Sequence, residues 1–321
     1  MKKEFAGVFP VMPTPLKEDG TVDKEGLKFI ARRLIEKGVH GVVVMGSTGE
    51  FPYLTREDKQ AAMEAAVEEA GGKVPVVAGF GAFGTDETLQ LCKMGEKIGV
   101  DAFLLGLPMY YNLKFQDVYN HYKRIAETVA PPIIYYHFPQ TLRLNLEPDE
   151  VGRLFEIEKV IGMKESTFLL PVVKRHIEAI KKPASVFSGT SLLLRPMMEM
   201  GACGVICPMP CLIPEVVVEM YELQKAGDRR RAKEAEKKVF EALPVLSDVQ
   251  FSTGTARRLI KVTSRLGLSL NIGGSQQARL KEAMRLLGYP ITPLVKSPLP
   301  QITEKQKRKI QSALKSAGIL M

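Results

Sequence analysis

Short apolar runs rich in β-branched residues alternate with longer amphipathic segments over the first two thirds of the chain. Gly or Pro bounds most of these runs, and such alternation is typical of a parallel sheet wound with helices. Eight runs predict strands, at residues 8–12, 42–45, 74–79, 102–105, 133–137, 160–164, 184–188 and 204–207. Helical patterns lie between them, among others at 24–37, 56–70, 86–98, 115–129 and 192–200. Eight consecutive β/α units predict an α/β protein with a (β/α)₈ TIM barrel.

The strand pattern stops near residue 227, and the rest of the chain reads as helices. Asp228 is placed to cap the first of them. Helix breakers follow at Gly254, Gly267, Gly273 and Pro290. The sequence therefore predicts a catalytic barrel at residues 1–227 and a helical C-terminal appendage at residues 228–321.

Composition fits a folded globular protein, with 45% hydrophobic and 25% charged residues among 321. No segment approaches the roughly 20 apolar residues that a membrane-spanning helix needs, so no membrane association is expected. Lys2 and Lys3 are not followed by the apolar stretch of a secretory signal. A cytoplasmic location is the expectation.

The net charge of +9 is concentrated at residues 229–238 and 305–315. Both stretches have the pattern of amphipathic helices with a solvated charged face, so no nucleic-acid partner is expected. The excess could equally attract an anionic substrate without identifying it.

Three of the four cysteines are spaced by four residues, at Cys203, Cys207 and Cys211. Pro208 and Pro210 prevent one helix from presenting all three sulfurs on one face. Because the usual Cys-x-x-Cys spacings of metal sites are missing as well, reduced structural thiols are the prediction.

Lys164 ends an apolar strand, and in a (β/α)₈ barrel the chemistry lies at the carboxyl ends of the strands. If the pleat turns this lysine into the barrel, burial disfavours its charged form, and a Schiff base needs the neutral amine. The alternative is a strand-end lysine that reaches solvent. Its neighbours favour the inward orientation.

Tyr136 ends the preceding strand, where a parallel pairing can bring its phenol close to Lys164. A phenol can pass protons when a carbinolamine collapses or a carbon–carbon bond breaks. The alternation that turns Tyr136 inwards turns His137 outwards, so His137 is expected to be packed or hydrogen-bonded between the sheet and the helices.

The strand at 42–45 is followed by Gly46-Ser47-Thr48-Gly49-Glu50. Such a turn can expose successive backbone N–H groups beside the two hydroxyls, which suits a carboxylate. The Gly-Lys-Ser or Gly-Lys-Thr ending of a phosphate-binding loop is missing. An ordinary βα turn is the alternative.

Together these strand ends resemble the dihydrodipicolinate synthase and N-acetylneuraminate lyase superfamily. Its members carry a Gly-[Ser/Thr]-Thr-Gly-Glu turn, a Tyr-Tyr pair, a Tyr-x-x-Pro and a Gly-x-Lys-Glu after successive strands. The corresponding segments here are Gly46 to Glu50, Tyr110-Tyr111, Tyr136 to Pro139, and Gly162 to Glu165. The match runs from about Phe5 to Gly227.

The resemblance implies a role for each matching residue. Lys164 would form the imine with pyruvate, and Tyr136 would transfer protons. Ser47 and Thr48 would hold the pyruvate carboxylate. Tyr111 would act in the site of a neighbouring subunit, and positions matching the substrate-lining segments are Ser188-Gly189 and Val205-Ile206, from which Gly189 and Ile206 are taken as site residues.

The sequence departs from the pattern where a second substrate would bind. Synthases of this superfamily usually place an arginine two residues after the proline of Tyr-x-x-Pro, where this chain has Thr141, with Arg143 two residues further on. Sialic-acid lyases carry acidic residues where this chain has Thr190, Ser191 and Leu192.

The expected protein is a Schiff-base-forming, metal- and cofactor-independent aldolase or lyase that acts on pyruvate and a small aldehyde. The substrate expected is a 2-keto-3-deoxy sugar acid, cleaved or formed. Alternatives are dihydrodipicolinate synthase, which joins pyruvate to aspartate semialdehyde, a keto-deoxy sugar acid dehydratase, and a non-catalytic ligand-binding barrel. The expected assembly is a homo-oligomer, either a dimer or a tetramer.

Overall fold

The computed structural model describes residues 4–108, 111–142, 144–247, 260, 262–264 and 276–320. Its centre is a sheet of eight parallel strands. These are β1 (Gly7–Pro10), β2 (Val42–Met45), β3 (Val76–Phe80), β4 (Ala102–Leu105), β5 (Ile133–His137), β6 (Val160–Glu165), β7 (Ser185–Ser188) and β8 (Gly204–Cys207). The predicted bounds of β2, β4, β5 and β8 match, and the others differ by one to two residues at an end.

The strands pair in the order β1-β8-β7-β6-β5-β4-β3-β2. The open edge between β1 and β2 is joined by a parallel bridge between Val11 and Val43, where Met12 N donates to Val43 O at 2.9 Å. The sheet thus closes on itself, which confirms the predicted (β/α)₈ barrel.

Twelve α-helices lie within the described residues. They are α1 (Lys24–Glu36), α2 (Arg56–Ala70), α3 (Thr85–Ile98), α4 (Phe115–Thr128), α5 (Pro139–Leu142), α6 (Pro148–Leu154), α7 (Leu170–Ala179), α8 (Leu194–Glu199), α9 (Pro214–Lys225), α10 (Arg229–Leu246), α11 (Gln276–Leu286) and α12 (Glu304–Ser316). The predicted helix at 192–200 is split, because Ser191–Leu193 forms a 3₁₀ turn before α8 begins. Single 3₁₀ turns of this kind are common at helix ends.

The pleat of the strands sorts side chains into two separate apolar layers. A small cluster fills the barrel and includes Phe9, Val43, Ile134, Phe187 and Ile206. A much larger cluster lies between the strands and the surrounding helices. Side chains one residue apart on a strand therefore lie in different environments.

The helices α10 to α12 belong to the predicted C-terminal appendage. Asp228 caps α10, since its carboxylate accepts a hydrogen bond from Arg231 N at 3.0 Å. The domain boundary at residue 227 stays a prediction. Arg143 and the predicted breakers Gly254, Gly267 and Gly273 lie outside the described residues.

Two further expectations concern the surface and the thiols. None of the described helices combines the length and the apolar character that crossing a membrane would require. The four cysteines are free thiols, and burial raises the pKa of Cys203 to about 12.

Candidate active site

Lys164 and Tyr136 face each other inside the barrel. They are register partners on β6 and β5, and Lys164 also pairs with Phe187 of β7, which lies in the barrel cluster together with Tyr136. Lys164 is only 6% exposed, and its Nζ lies 4.2 Å from the centre of the Tyr136 ring. Phe138 stacks on the same tyrosine, with 5.5 Å between ring centres. The lysine amine is therefore held in an apolar, aromatic environment beside a phenol.

The β2 turn, residues 46–50, follows the carboxyl end of β2. The N–H groups of Gly46, Gly49 and Glu50 donate to Gly79 O, Met45 O and Ser47 O. Among the described residues, no acceptor faces the N–H groups of Ser47 and Thr48. Two successive N–H donors are thus available to an anion, fewer than the whole turn could have offered.

Gly49 is required by this turn for steric reasons. A Cβ on Gly49 would lie 2.1 Å from Met45 O, the acceptor of its own hydrogen bond. The close approach keeps the turn tight enough to leave Ser47 and Thr48 at its apex.

A cavity of about 370 Å³ borders the β2 turn and Tyr136, and neither Lys164 nor Thr48 is among the described residues that line it. Of the residues predicted for the site, Ser47 and Tyr136 line it, and Thr141 lies on its wall. Gln276, Gln277 and Leu299 of the C-terminal appendage line it as well, and no motif in the sequence pointed to them. Among the described residues that line this cavity there is no Lys or Arg.

The remaining predicted site residues occupy distinct places. Ile206 belongs to the barrel cluster, beside Phe9 of β1. Gly189 packs against the end of β6, where a Cβ would lie 2.1 Å from Ser166 Oγ and 2.8 Å from Glu165 O. Tyr111 is 75% exposed in the isolated chain. The structure therefore brings Lys164 and Tyr136 together, while Tyr111 lies on the outer surface.

Outward-facing side chains of β5 and β6 meet α7 behind the barrel wall. Glu165 Oε2 lies 2.9 Å from His137 Nδ1 and 2.7 Å from His176 Nδ1, and all three side chains are buried. Glu165 Oε1 accepts from Thr167 N at 2.8 Å. The prediction that His137 points outwards and is hydrogen-bonded is confirmed.

Both ring nitrogens of His137 have oxygen partners. Its Nδ1 faces Glu165, and its Nε2 lies 3.1 Å from Asn145 Oδ1, so both ring nitrogens face oxygen acceptors. Burial alone would raise the pKa of Glu165, but the charge of His137 and the hydrogen bonds from His137 and His176 prevail and lower it to about 2.

The same three side chains are the one group among the described residues whose ligand atoms could surround a metal ion. His176 comes from a helix and not from a strand end, so the spacing of residues at the strand ends does not mark this group in the sequence. The separations of 2.7 and 2.9 Å are hydrogen-bond lengths, which fit a proton between the atoms. The cluster's hydrogen bonds account for its geometry.

A buried lysine amine beside a phenol, at the strand ends of a (β/α)₈ barrel, is an arrangement typical of enzymes of the aldolase class. The sequence profile of the Dihydrodipicolinate synthetase family matches residues 4–271, and the chain belongs to that family. Family members are class I aldolases and lyases, so the chain is an enzyme that makes or breaks carbon–carbon bonds.

Individual relatives are similar over nearly the whole chain. The 4-hydroxy-tetrahydrodipicolinate synthase of Methanopyrus kandleri is 34% identical over 319 residues, covering 99% of this chain and 98% of the relative. The protein of the same name from Sulfurihydrogenibium is 35% identical over 288 residues, covering 88% and 98%. The crystal structure of dihydrodipicolinate synthase from Acinetobacter baumannii, complexed with pyruvate, is 28% identical with a TM-score of 0.83, covering 98% and 99%.

The Glu165 cluster predicts a specific pH dependence of stability. Folding lowers the pKa of Glu165 from 4.5 to about 2. The contribution of Glu165 to the free energy of unfolding is therefore fully present above pH 4.5 and is lost as the pH falls through 2. We expect Glu165→Gln to remove up to about 1.4 kcal/mol per pH unit from the acid-side slope of the unfolding free energy between about pH 4 and pH 2. Urea unfolding at a series of pH values measures it.

Glu178→Gln is the matched control, because Glu178 is 60% exposed and faces only Lys174 at 3.7 Å. This variant should keep the slope of the parent protein. Equal slopes for the parent and Glu165→Gln would contradict the argument.

Proposed function

We propose that Lys164 forms an imine with pyruvate and that the enzyme joins pyruvate to an aldehyde or reverses that reaction. The observation that carries the proposal is the buried Lys164 amine beside Tyr136, 4.2 Å from its ring centre. The pyruvate complex of a relative of the same fold supports pyruvate as the first substrate.

The reaction follows from this arrangement. The neutral amine of Lys164 attacks the keto carbon of pyruvate, and the resulting carbinolamine loses water to give a protonated imine. The imine draws electrons from the adjacent methyl group, which loses a proton and becomes an enamine. The enamine carbon attacks the aldehyde carbon, the aldehyde oxygen takes up a proton, and water then releases the product and restores the amine.

Two groups assist these steps. Tyr136 is within reach of the amine and transfers protons to and from the carbinolamine and the aldehyde oxygen. The N–H groups and hydroxyls of Ser47 and Thr48 bind the pyruvate carboxylate. Ile206 belongs to the apolar cluster that fills the barrel, and neither Ile206 nor Gly189 is among the described residues that line the cavity.

Imine formation predicts a covalent adduct when pyruvate and borohydride are supplied together. Reduction of the imine should leave a stable mass increase that maps to Lys164 by peptide mass spectrometry. Lys164→Met should lose the adduct, while Lys159→Met should keep it, because Lys159 precedes the amino end of β6 and its amine donates to Val129 O. A pyruvate-dependent adduct on another lysine would overturn the mechanism.

For the second substrate we propose a hydroxylated aldehyde, whose condensation product with pyruvate is a 2-keto-3-deoxy sugar acid. Thr141, Gln276 and Tyr53 offer neutral hydroxyl and amide groups to the cavity, and these suit the hydroxyls of a sugar chain. A second carboxylate would favour a cation, and the described lining offers none.

The second candidate is 4-hydroxy-tetrahydrodipicolinate synthase activity. It is favoured by the names of the relatives that are 34% and 35% identical. In that reaction the enamine attacks aspartate semialdehyde, whose carboxylate would need a binding partner in this cavity.

A substrate panel separates the two candidates. We expect pyruvate release from 2-keto-3-deoxygluconate to exceed condensation with aspartate semialdehyde by at least about tenfold in kcat/KM. Thr141→Arg should shift this ratio towards aspartate semialdehyde by adding a cation to the described cavity wall, which has none, and Thr141→Ser should not. A higher kcat/KM for aspartate semialdehyde in the parent protein would favour the synthase.

We propose further that the protein is a homo-oligomer in which Tyr111 completes the site of a neighbour. Its side chain is 75% exposed, and Phe83 is 69% exposed, which is unusual for large aromatic residues. An isologous contact would give each of two sites the tyrosine of the other chain.

Complementation tests the shared tyrosine. Lys164→Ala and Tyr111→Phe proteins should each have low activity, and mixing them after mild dissociation should restore part of it, because some mixed dimers hold one intact site. Native mass spectrometry verifies the mixed dimers. No recovery in their presence would place Tyr111 outside its neighbour's site.

A further inference from the structure

We infer that Glu50 and Lys281 form a positioning pair, through which helix α11 of the C-terminal appendage holds the β2 turn in the shape that binds the pyruvate carboxylate. The inference rests on the proposed function, since it concerns the affinity of that turn for pyruvate. It adds two positioning residues that lie 231 positions apart in the chain and touch neither the amine nor the phenol.

The ion pair is completely buried. Lys281 Nζ lies 2.5 Å from Glu50 Oε1, and both side chains are 0% exposed. A buried charge is stable only when it is paired, and removing one partner leaves the other uncompensated. The ammonium also donates to Leu294 O at 2.5 Å, which ties the pair to the segment after α11.

The carboxylate of Glu50 is used on both oxygens. Oε1 faces Lys281, and Oε2 accepts from Lys296 N at 2.7 Å. With both oxygens placed in this way, Glu50 holds the turn in position and is not directed at the reacting groups. The backbone of Glu50 is left-handed, with φ of 64°, and this conformation costs free energy in a residue other than glycine. The ion pair with Lys281 offsets that cost.

Other contacts hold the same turn from outside. Gln277 Nε2 of α11 donates to Ser47 O at 3.1 Å, and Thr14 Oγ1 donates to Gly49 O at 2.7 Å. Lys296 Nζ reaches Asp58 Oδ2 of α2 at 2.6 Å. The carbonyls of Ser47 and Gly49 are thus occupied. The N–H groups of Ser47 and Thr48 have no acceptor among the described residues and are the donors available to a ligand.

The direction of those two donors depends on the peptide planes of the turn. These planes are fixed by the groups that contact the turn at each end. The C-terminal appendage contacts Ser47 through Gln277 and Glu50 through Lys281. A displacement of about 1 Å is enough to lose most of the benefit of an oriented contact. Breaking the pair should therefore weaken pyruvate binding before it affects the later steps.

The test compares Lys281→Met, Glu50→Gln and the double variant with the parent enzyme. The pyruvate concentration that gives half-maximal borohydride trapping should rise at least about tenfold in all three, as expected when a charge-assisted hydrogen bond is misaligned. The rate at saturating pyruvate should change less. The double variant leaves no unpaired charge, so its stability should recover relative to the single variants while the half-saturation value stays raised.

Arg285→Met is the matched control. Arg285 lies on the same helix and pairs with the buried Glu282 at 2.8 Å, so its loss also leaves a buried carboxylate unpaired, but away from the turn. It should lower stability and leave the half-saturation value unchanged. Gln277→Leu removes the single hydrogen bond from the half-buried Gln277 side chain to Ser47 O. This variant should raise the pyruvate concentration for half-maximal trapping about threefold.

The outcomes separate the two proposals. Absence of pyruvate trapping in the parent enzyme would overturn the proposed function itself. Trapping in the parent with half-saturation values that stay normal in the double variant and in Gln277→Leu would overturn only the positioning pair. An equal rise in Arg285→Met would attribute the effect to general destabilisation of the C-terminal appendage, and this too would overturn the inference.

Discussion

Each strand of a closed barrel has two faces. A side chain that does not point into the barrel points into the layer between the strands and the helices. At the ends of β5 and β6 this constraint separates two kinds of chemistry. Tyr136 and Lys164 point into the barrel, while their sequence neighbours His137 and Glu165 point away from it. The reactive amine of Lys164 therefore lies in an apolar environment, although the next residue, Glu165, carries a carboxylate.

The outer layer gives that carboxylate its own counter-charge. Without His137 and His176, the ionised Glu165 would be an unpaired buried charge directly behind Lys164. With them, the charge is compensated locally through hydrogen bonds of 2.7 and 2.9 Å. The two sides of the barrel wall are thus electrostatically separate, and the positions of Tyr136 and Lys164 are supported from behind by a rigid hydrogen-bonded group.

The sequence predicted what local periodicity and alternation determine. The eight strands, the inward direction of Tyr136 and the outward direction of His137 all follow from a period of two along short apolar runs. The start of α10 followed from a cap residue, Asp228. The division of 192–200 into a 3₁₀ turn and a short helix was not predicted, because both structures share nearly the same apolar spacing.

Partners brought together from distant parts of the chain could not be predicted. His176 joins Glu165 only because α7 packs back on β6, and nothing in its neighbourhood marks it as more than a core histidine. Gln277 and Lys281 lie in an ordinary amphipathic helix, and their meeting with Ser47 and Glu50 depends on how that helix docks. A single sequence carries no signal for such pairings.

The contacts between the β2 turn and the C-terminal appendage have a consequence for the order of events during protein synthesis. Glu50 and Lys296 are 246 residues apart, and Leu16 and Thr292 are 276 apart. The turn leaves the ribosome long before these partners, which are made 230 to 246 residues later. At about 5–20 residues per second, a nascent chain spends many seconds with this turn unsupported. A nascent chain that reaches only residue 227 would hold all eight strands and still lack Gln277, Lys281 and Lys296, which contact the turn from the C-terminal appendage.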